Sequence, residues 1–169
     1  EVCQVVRNAK NQIENEKVLA AIRGVFALQN SAKKDSHEDE LRQRLRYILS
    51  QLGMSGERGT QDIIDACCFV REHGGTVSSS GIRSLCMALC PDAPKSTEQR
   101  MRRAMERSLR HIASLGLEDY TNEVFVRYAT HLFPFEEVRR EMAAIQGRGR
   151  GGHVSVKTFL DGLMVLLDD

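Results

Sequence analysis

Pro91-Asp92-Ala93-Pro94-Lys95-Ser96-Thr97-Glu98-Gln99-Arg100-Met101-Arg102-Arg103-Ala104-Met105-Glu106-Arg107-Ser108-Leu109-Arg110-His111 reads as a capped helix with two unlike faces. Ser96 followed by Gln99 is the Ser/Thr-x-x-Glu/Gln pattern of a helix start: the hydroxyl accepts from the amide three residues on, and the Gln side chain reaches back. It predicts a helix from near Thr97 to about Leu115. On the helical wheel Met101, Ala104, Met105, Ser108, Leu109, Ile112 and Leu115 share one side, while Arg100, Arg103, Arg107 and Arg110 make a stripe on the other. Between Lys95 and Arg110 six basic residues stand against two acidic ones, a net of +4 in a chain whose total is +1. The positive charge is therefore concentrated on this helix.

An arginine stripe early in a helix that follows a turn suits duplex DNA, because the guanidinium fork matches both backbone phosphates and the O6/N7 edge of guanine. On this reading Arg100, Arg102, Arg103 and Arg107 form the contact stripe with Gln99 beside them, and Lys95 and Thr97 meet phosphates. The ordinary alternative is a solvated arginine face with no nucleic-acid partner.

Working outward, the absence of Trp, the three prolines and the apolar residues recurring at three and four spacing predict an all-α fold. A helix over 14–29 is followed by the polar stretch Asn30-Ser31-Ala32-Lys33-Lys34-Asp35-Ser36-His37-Glu38-Asp39, which reads as a linker. Further helices are expected over 39–52, 60–73 and 79–90 before the arginine helix, and over 118–132, 136–146 and 155–167 after it. Gly53 and Gly74-Gly75 are suited to stop the first two. Gly147-Arg148-Gly149-Arg150-Gly151-Gly152 reads as a flexible loop whose Arg-Gly alternation resembles RNA-binding tracts. The expected organisation is an N-terminal helix and linker, residues 1–38, and a helical effector domain, residues 39–169.

With 169 residues the chain is long enough to bury a core. No apolar run suits a membrane span, and the start, Glu1-Val2-Cys3-Gln4, has no signal-peptide pattern, so a piece of a longer cytoplasmic protein is expected. Five cysteines without framework spacing imply reduced thiols. Cys67, Cys68, Cys86 and Cys90 with His73 are the candidates for a metal site, but helical cysteines among apolar neighbours read as core, and no metal or cofactor is expected. No phosphate-binding glycine loop, His-Glu-x-x-His or nucleophile elbow is present, and the histidines stand singly, so an enzyme is not expected.

Leu52-Gly53-Met54, Arg58-Gly59, Ile63-Ile64-Asp65-Ala66, Leu89-Cys90-Pro91-Asp92 and Arg100-Met101-Arg102-Arg103-Ala104-Met105, in that order, resemble the C-terminal DNA-binding domain of the sporulation stage-zero response regulator family. The similarity covers roughly residues 39–167. It implies an all-α bundle containing a helix-turn-helix, winged-helix-like but without strands, that regulates transcription in a two-component system. The implied partners are promoter DNA, an RNA polymerase sigma subunit and a second copy of the chain. Arg100 and Arg103 match recognition-helix arginines, which the resemblance places on base edges or phosphates. Arg102 stands where the family has Glu, Glu106 where it has Arg and Arg107 where it has His; Arg102 and Glu106, four apart, are spaced to pair with each other. The segment between Pro91-Asp92 and the recognition helix is shorter than the family's, and Pro94 falls in what would be the first helix of the motif. The family's receiver domain is not in these residues; residues 1–29 read either as the tail of one or as a dimerising helix. The alternative function is a protein-interaction or dimerisation module of the same fold.

Overall fold

The computed structural model describes residues 23, 37–74 and 81–168. The expected helix over 14–29 and most of the polar linker lie outside the described residues. Contact between residues divides the chain into a unit of residues 1–40 and a unit of residues 41–169. Seven helices and no strand occur among the described residues: α1 (37–51), α2 (Arg58–Glu72), α3 (Ile82–Leu89), α4 (Pro94–Glu118), α5 (Glu123–Leu132), α6 (Phe135–Ile145) and α7 (Val156–Asp168). The fold is the expected all-α bundle.

The arginine helix α4 is the axis of that bundle and packs against α2, α3, α5, α6 and α7. Its inner face is the one the wheel selects: Met101, Ala104, Met105, Ser108, Leu109 and Ile112 are buried, joined by Thr97, Ala113 and Gly116. Leu45, Leu49, Leu52, Ile63, Phe159 and Leu163 complete the core around it with no more than traces of exposure. Burying side chains of this size contributes roughly 1.5–3 kcal/mol each. Where α2 crosses α4, Gly59 lets the backbones touch: a Cβ there would lie 2.1 Å from the carbonyl oxygen of Arg100.

Two helix starts differ from expectation. The box built on Ser96 and Gln99 does not form; α4 begins at Pro94 with Ala93 as its N-cap and no side-chain cap. Proline is suited to the first helical position because the N–H it lacks would have no intrahelical partner there and its φ is already helical. Pro94 therefore opens α4 rather than shortening the helix before it. Likewise α5 starts at Glu123, not Glu118, because Asn122 caps the amides of Val124 and Phe125 at 3.0 and 3.1 Å. Glu118 ends α4, and Asp119 folds back on Thr121 in a tight turn.

Candidate nucleic-acid interface

Three elements meet over the outer face of α4 and leave an open groove of about 860 Å3. Its floor is Arg100, Arg103, Glu106, Arg107 and Arg110. One wall is Gly56-Glu57-Arg58-Gly59 at the entry to α2, and the other is Glu141 and Ala144 of α6 with Gly151-Gly152. Five arginines face three carboxylates in this space. One of those, Glu141, accepts the main-chain N–H of Gly152 at 2.9 Å.

The predicted contact residues separate into two groups. Arg100 is engaged within the fold: Nε donates to Asp62 Oδ2 at 2.7 Å, Nη2 to Asp62 Oδ1 at 2.9 Å, and Nη2 also to Thr97 Oγ1 at 3.0 Å. The bond that Arg100 donates to Asp62 is the main cause that raises the Arg100 pKa further. Thr97 is 1% exposed and donates its hydroxyl to Ala93 O, so it does not reach the surface. Arg102 donates to Glu98 at 3.0 Å and to Val154 O at 3.0 Å. Its partner is thus Glu98 rather than the expected Glu106, which agrees with the better geometry of an acid placed N-terminal to a base four residues on. Arg107 pairs with Glu57 while its side chain stays 70% exposed. Lys95, Gln99 and Arg103 are exposed. Arg103, Arg110 and Arg58 have no ion-pair partner among the described residues.

The structure adds Arg58 to the arginines of the stripe, and it brings Asp62 and Glu57 to them as internal partners. No local pattern signals those meetings, which depend on how α2 crosses α4. Arg110 was legible on the stripe from its spacing alone.

None of the described cysteines lines this groove. Cys67, Cys68 and Cys86 are buried and Cys90 is half-buried at the end of α3. His73 is tied to its own helix, with Nδ1 2.8 Å from Phe69 O and the ring stacked on Phe69. Among the described residues no group of three or more His, Cys, Asp and Glu could hold a metal ion. No helix among them is long and apolar enough to cross a membrane.

Compared with known families, the chain matches the YcbB domain over residues 44–163, a span that contains every residue of the groove. The chain belongs to the YcbB domain family. This YcbB domain is also similar to the transcriptional regulatory protein GlnL of Bacillus subtilis (strain 168), 29% identical over 171 residues, covering 88% of this chain and 54% of GlnL. The chain spans about half the length of that relative. No solved structure matches it. The family found is the YcbB domain and not the sporulation effector domain, so the resemblance holds at the coarser level of kinship with a transcriptional regulator.

Proposed function

We propose that this YcbB domain is the DNA-binding part of a transcription regulator and that the duplex lies against the arginine groove of α4. The observation that carries the reading is the convergence of Arg58, Arg103, Arg107 and Arg110 on one open, solvent-facing groove, three of them without an ion-pair partner among the described residues. Guanidinium groups left in water on a fixed helix are free to replace the counterions of a phosphate backbone. The helix α3, the turn of residues 90–93 and α4 supply the succession of a helix-turn-helix, with α4 as the recognition helix. The start of α4 supports a phosphate as well. It has no side-chain cap and no acidic residue in its first turn, and Lys95 stands exposed there. The name of the GlnL relative supports the regulatory reading.

Within the groove the roles divide. Arg103 and Arg110 are the base readers, because their forks have no ion-pair partner among the described residues; Arg100 is a positioning residue, because its Nε–Nη2 edge is filled by Asp62. A second reading has its own observation. Glu57, Asp62 and Glu98 already satisfy arginines of this helix, so an acidic protein segment would meet the same chemistry.

Titration of duplex DNA across a series of salt concentrations separates the two. Contact with about four to six phosphates gives a slope of log K against log salt near −4 to −5. No measurable duplex affinity at low salt would leave the protein-interaction reading.

A further inference from the structure

The arginines of residues 147–152 take no part in the α4 reading, and so glycine-rich a run is expected to be mobile. The structure fastens it at both ends. At its start Gly147 has φ 77°, its N–H donates to Ala144 O at 2.9 Å, and the N–H of Arg148 donates to Ala143 O at 2.7 Å. These two bonds are the Schellman closure of α6, and the positive φ is why glycine stands there. At its far end the N–H of Gly152 donates to Glu141 Oε2 at 2.9 Å and that of His153 to Glu137 Oε2 at 2.7 Å. A Cβ on Gly152 would lie 2.2 Å from Glu137 O, so only glycine lets the chain lie this close to α6. Val154 O then accepts from Arg102, which ties the segment to the helix that carries the stripe.

Between these anchors the two arginines differ. Arg150 is exposed, has no bonded partner among the described residues, and directly precedes the two glycines that wall the groove. Arg148 bonds Gln146 and borders a separate depression with Tyr120, Arg139 and Met142 on another face of α6. One arginine is thus joined directly to the groove wall through Gly151, and the other borders a different depression.

We infer that residues 147–152 form a pre-shaped arm that places Arg150 on a backbone phosphate of the duplex whose bases face α4, an inference that rests on the DNA-binding reading of that groove. A fixed arm loses little freedom on binding, so its one charge adds affinity without a large ordering penalty. A phosphate contact carries no sequence information, so Arg150 strengthens binding to all duplexes alike.

The test uses the full chain and a duplex selected from a random library, with binding followed by fluorescence anisotropy across salt. Arg150→Ala is expected to reduce the magnitude of the salt slope by about 1 and to weaken selected and scrambled duplexes by the same factor. Arg148→Ala, the same charge removed on the other side of α6, is expected to leave the slope unchanged. Glu141→Ala supplies a test of opposite sign, because it removes both the charge and the oxygen that accepts the Gly152 N–H. Removing a negative charge from the groove wall should tighten binding if charge alone matters; releasing the arm should weaken it, and weaker binding is expected. Both arginine positions are exposed, so their melting temperatures should match the parent and the comparison does not depend on Glu141→Ala folding. An unchanged slope in Arg150→Ala, equal losses in the two arginine variants, or tighter binding by Glu141→Ala overturns the arm while leaving the α4 reading in place. A parent chain with no duplex affinity overturns both.

Discussion

The carboxylate of Asp62 closes on the Nε–Nη2 edge of Arg100 at 2.7 and 2.9 Å, and Thr97 takes a further Nη2 bond. Only the Nη1 hydrogens of Arg100 are left for another molecule. Bidentate recognition of guanine needs donors on two neighbouring nitrogens, so in the proposed reading this arginine holds α2 to α4 and leaves base recognition to Arg103 and Arg110. Arg100→Ala should lower stability by about 1–2 kcal/mol, since Asp62 is mostly covered while the pair is still partly screened by water. Its preference among single-base variants of a bound site should not change. Relaxed preference with an unaltered melting curve would place Arg100 among the readers after all.

Arg103 gives the complementary result. With no ion-pair partner among the described residues, Arg103→Ala should leave the melting temperature near that of the parent. Discrimination at one base pair should fall by about 1–3 kcal/mol. A large loss of stability would count against its assignment to the DNA face.

Two substitutions examine the inner face of α4. Leu109 is 1% exposed, and Leu109→Ala should destabilise by about 2–5 kcal/mol through the cavity it leaves. Gly59→Ala adds one methyl group, yet the Arg100 carbonyl 2.1 Å from its Cβ cannot give way without moving α2. That overpacking should cost about 1–3 kcal/mol. Chemical denaturation measures both, and a parent-like midpoint for Gly59→Ala would mean that the helices do not cross this closely.

Burial pushes the Cys86 thiol up from the ordinary 9.0 to about 11, with the Glu98 and Asp62 carboxylates adding to it. Burial also raises Cys67, with help from Cys68. A thiol whose folded pKa is raised contributes stability below its unfolded pKa and loses it as pH rises towards the folded value. The melting temperature should therefore decline between pH 9 and 11, and less steeply in a Cys67→Ala/Cys86→Ala chain. Equal slopes for the two chains would remove the thiols from the alkaline loss.

The entry to α5 depends on Asn122, whose side chain accepts from two first-turn amides. Asn122→Ala should cost about 1 kcal/mol. The neighbouring Asp119 carboxyl is held below its usual range by its side-chain and main-chain bonds from Thr121. Its contribution is present above the ordinary carboxylate range and fades as pH falls through the lowered value. Asp119→Asn should flatten the acid limb of the stability curve, and an unchanged limb would show that this turn does not contribute.

The reading of α4 shows why the two faces of a helix differ in legibility. Met101, Met105, Leu109 and Ile112 are marked by a period of 3.6 residues, and a helix must bury such a stripe whatever its neighbours are. The sequence by itself therefore determined the all-α class, the inner face of the arginine helix and the concentration of positive charge on its outer face. Helix starts were less secure, because Pro94 and Asn122 competed with equally plausible caps a few residues away. Which arginines remain available was decided only by the tertiary structure. Asp62 lies 38 residues before Arg100, and Glu57 lies 50 before Arg107; such pairs form because Gly59 lets α2 approach α4, not because of any spacing along the chain. The same holds for residues 147–152. Their composition suggests freedom, but Glu137 and Glu141 of the preceding helix hold the main chain from the side, a constraint that exists only once the chain has folded back along α6.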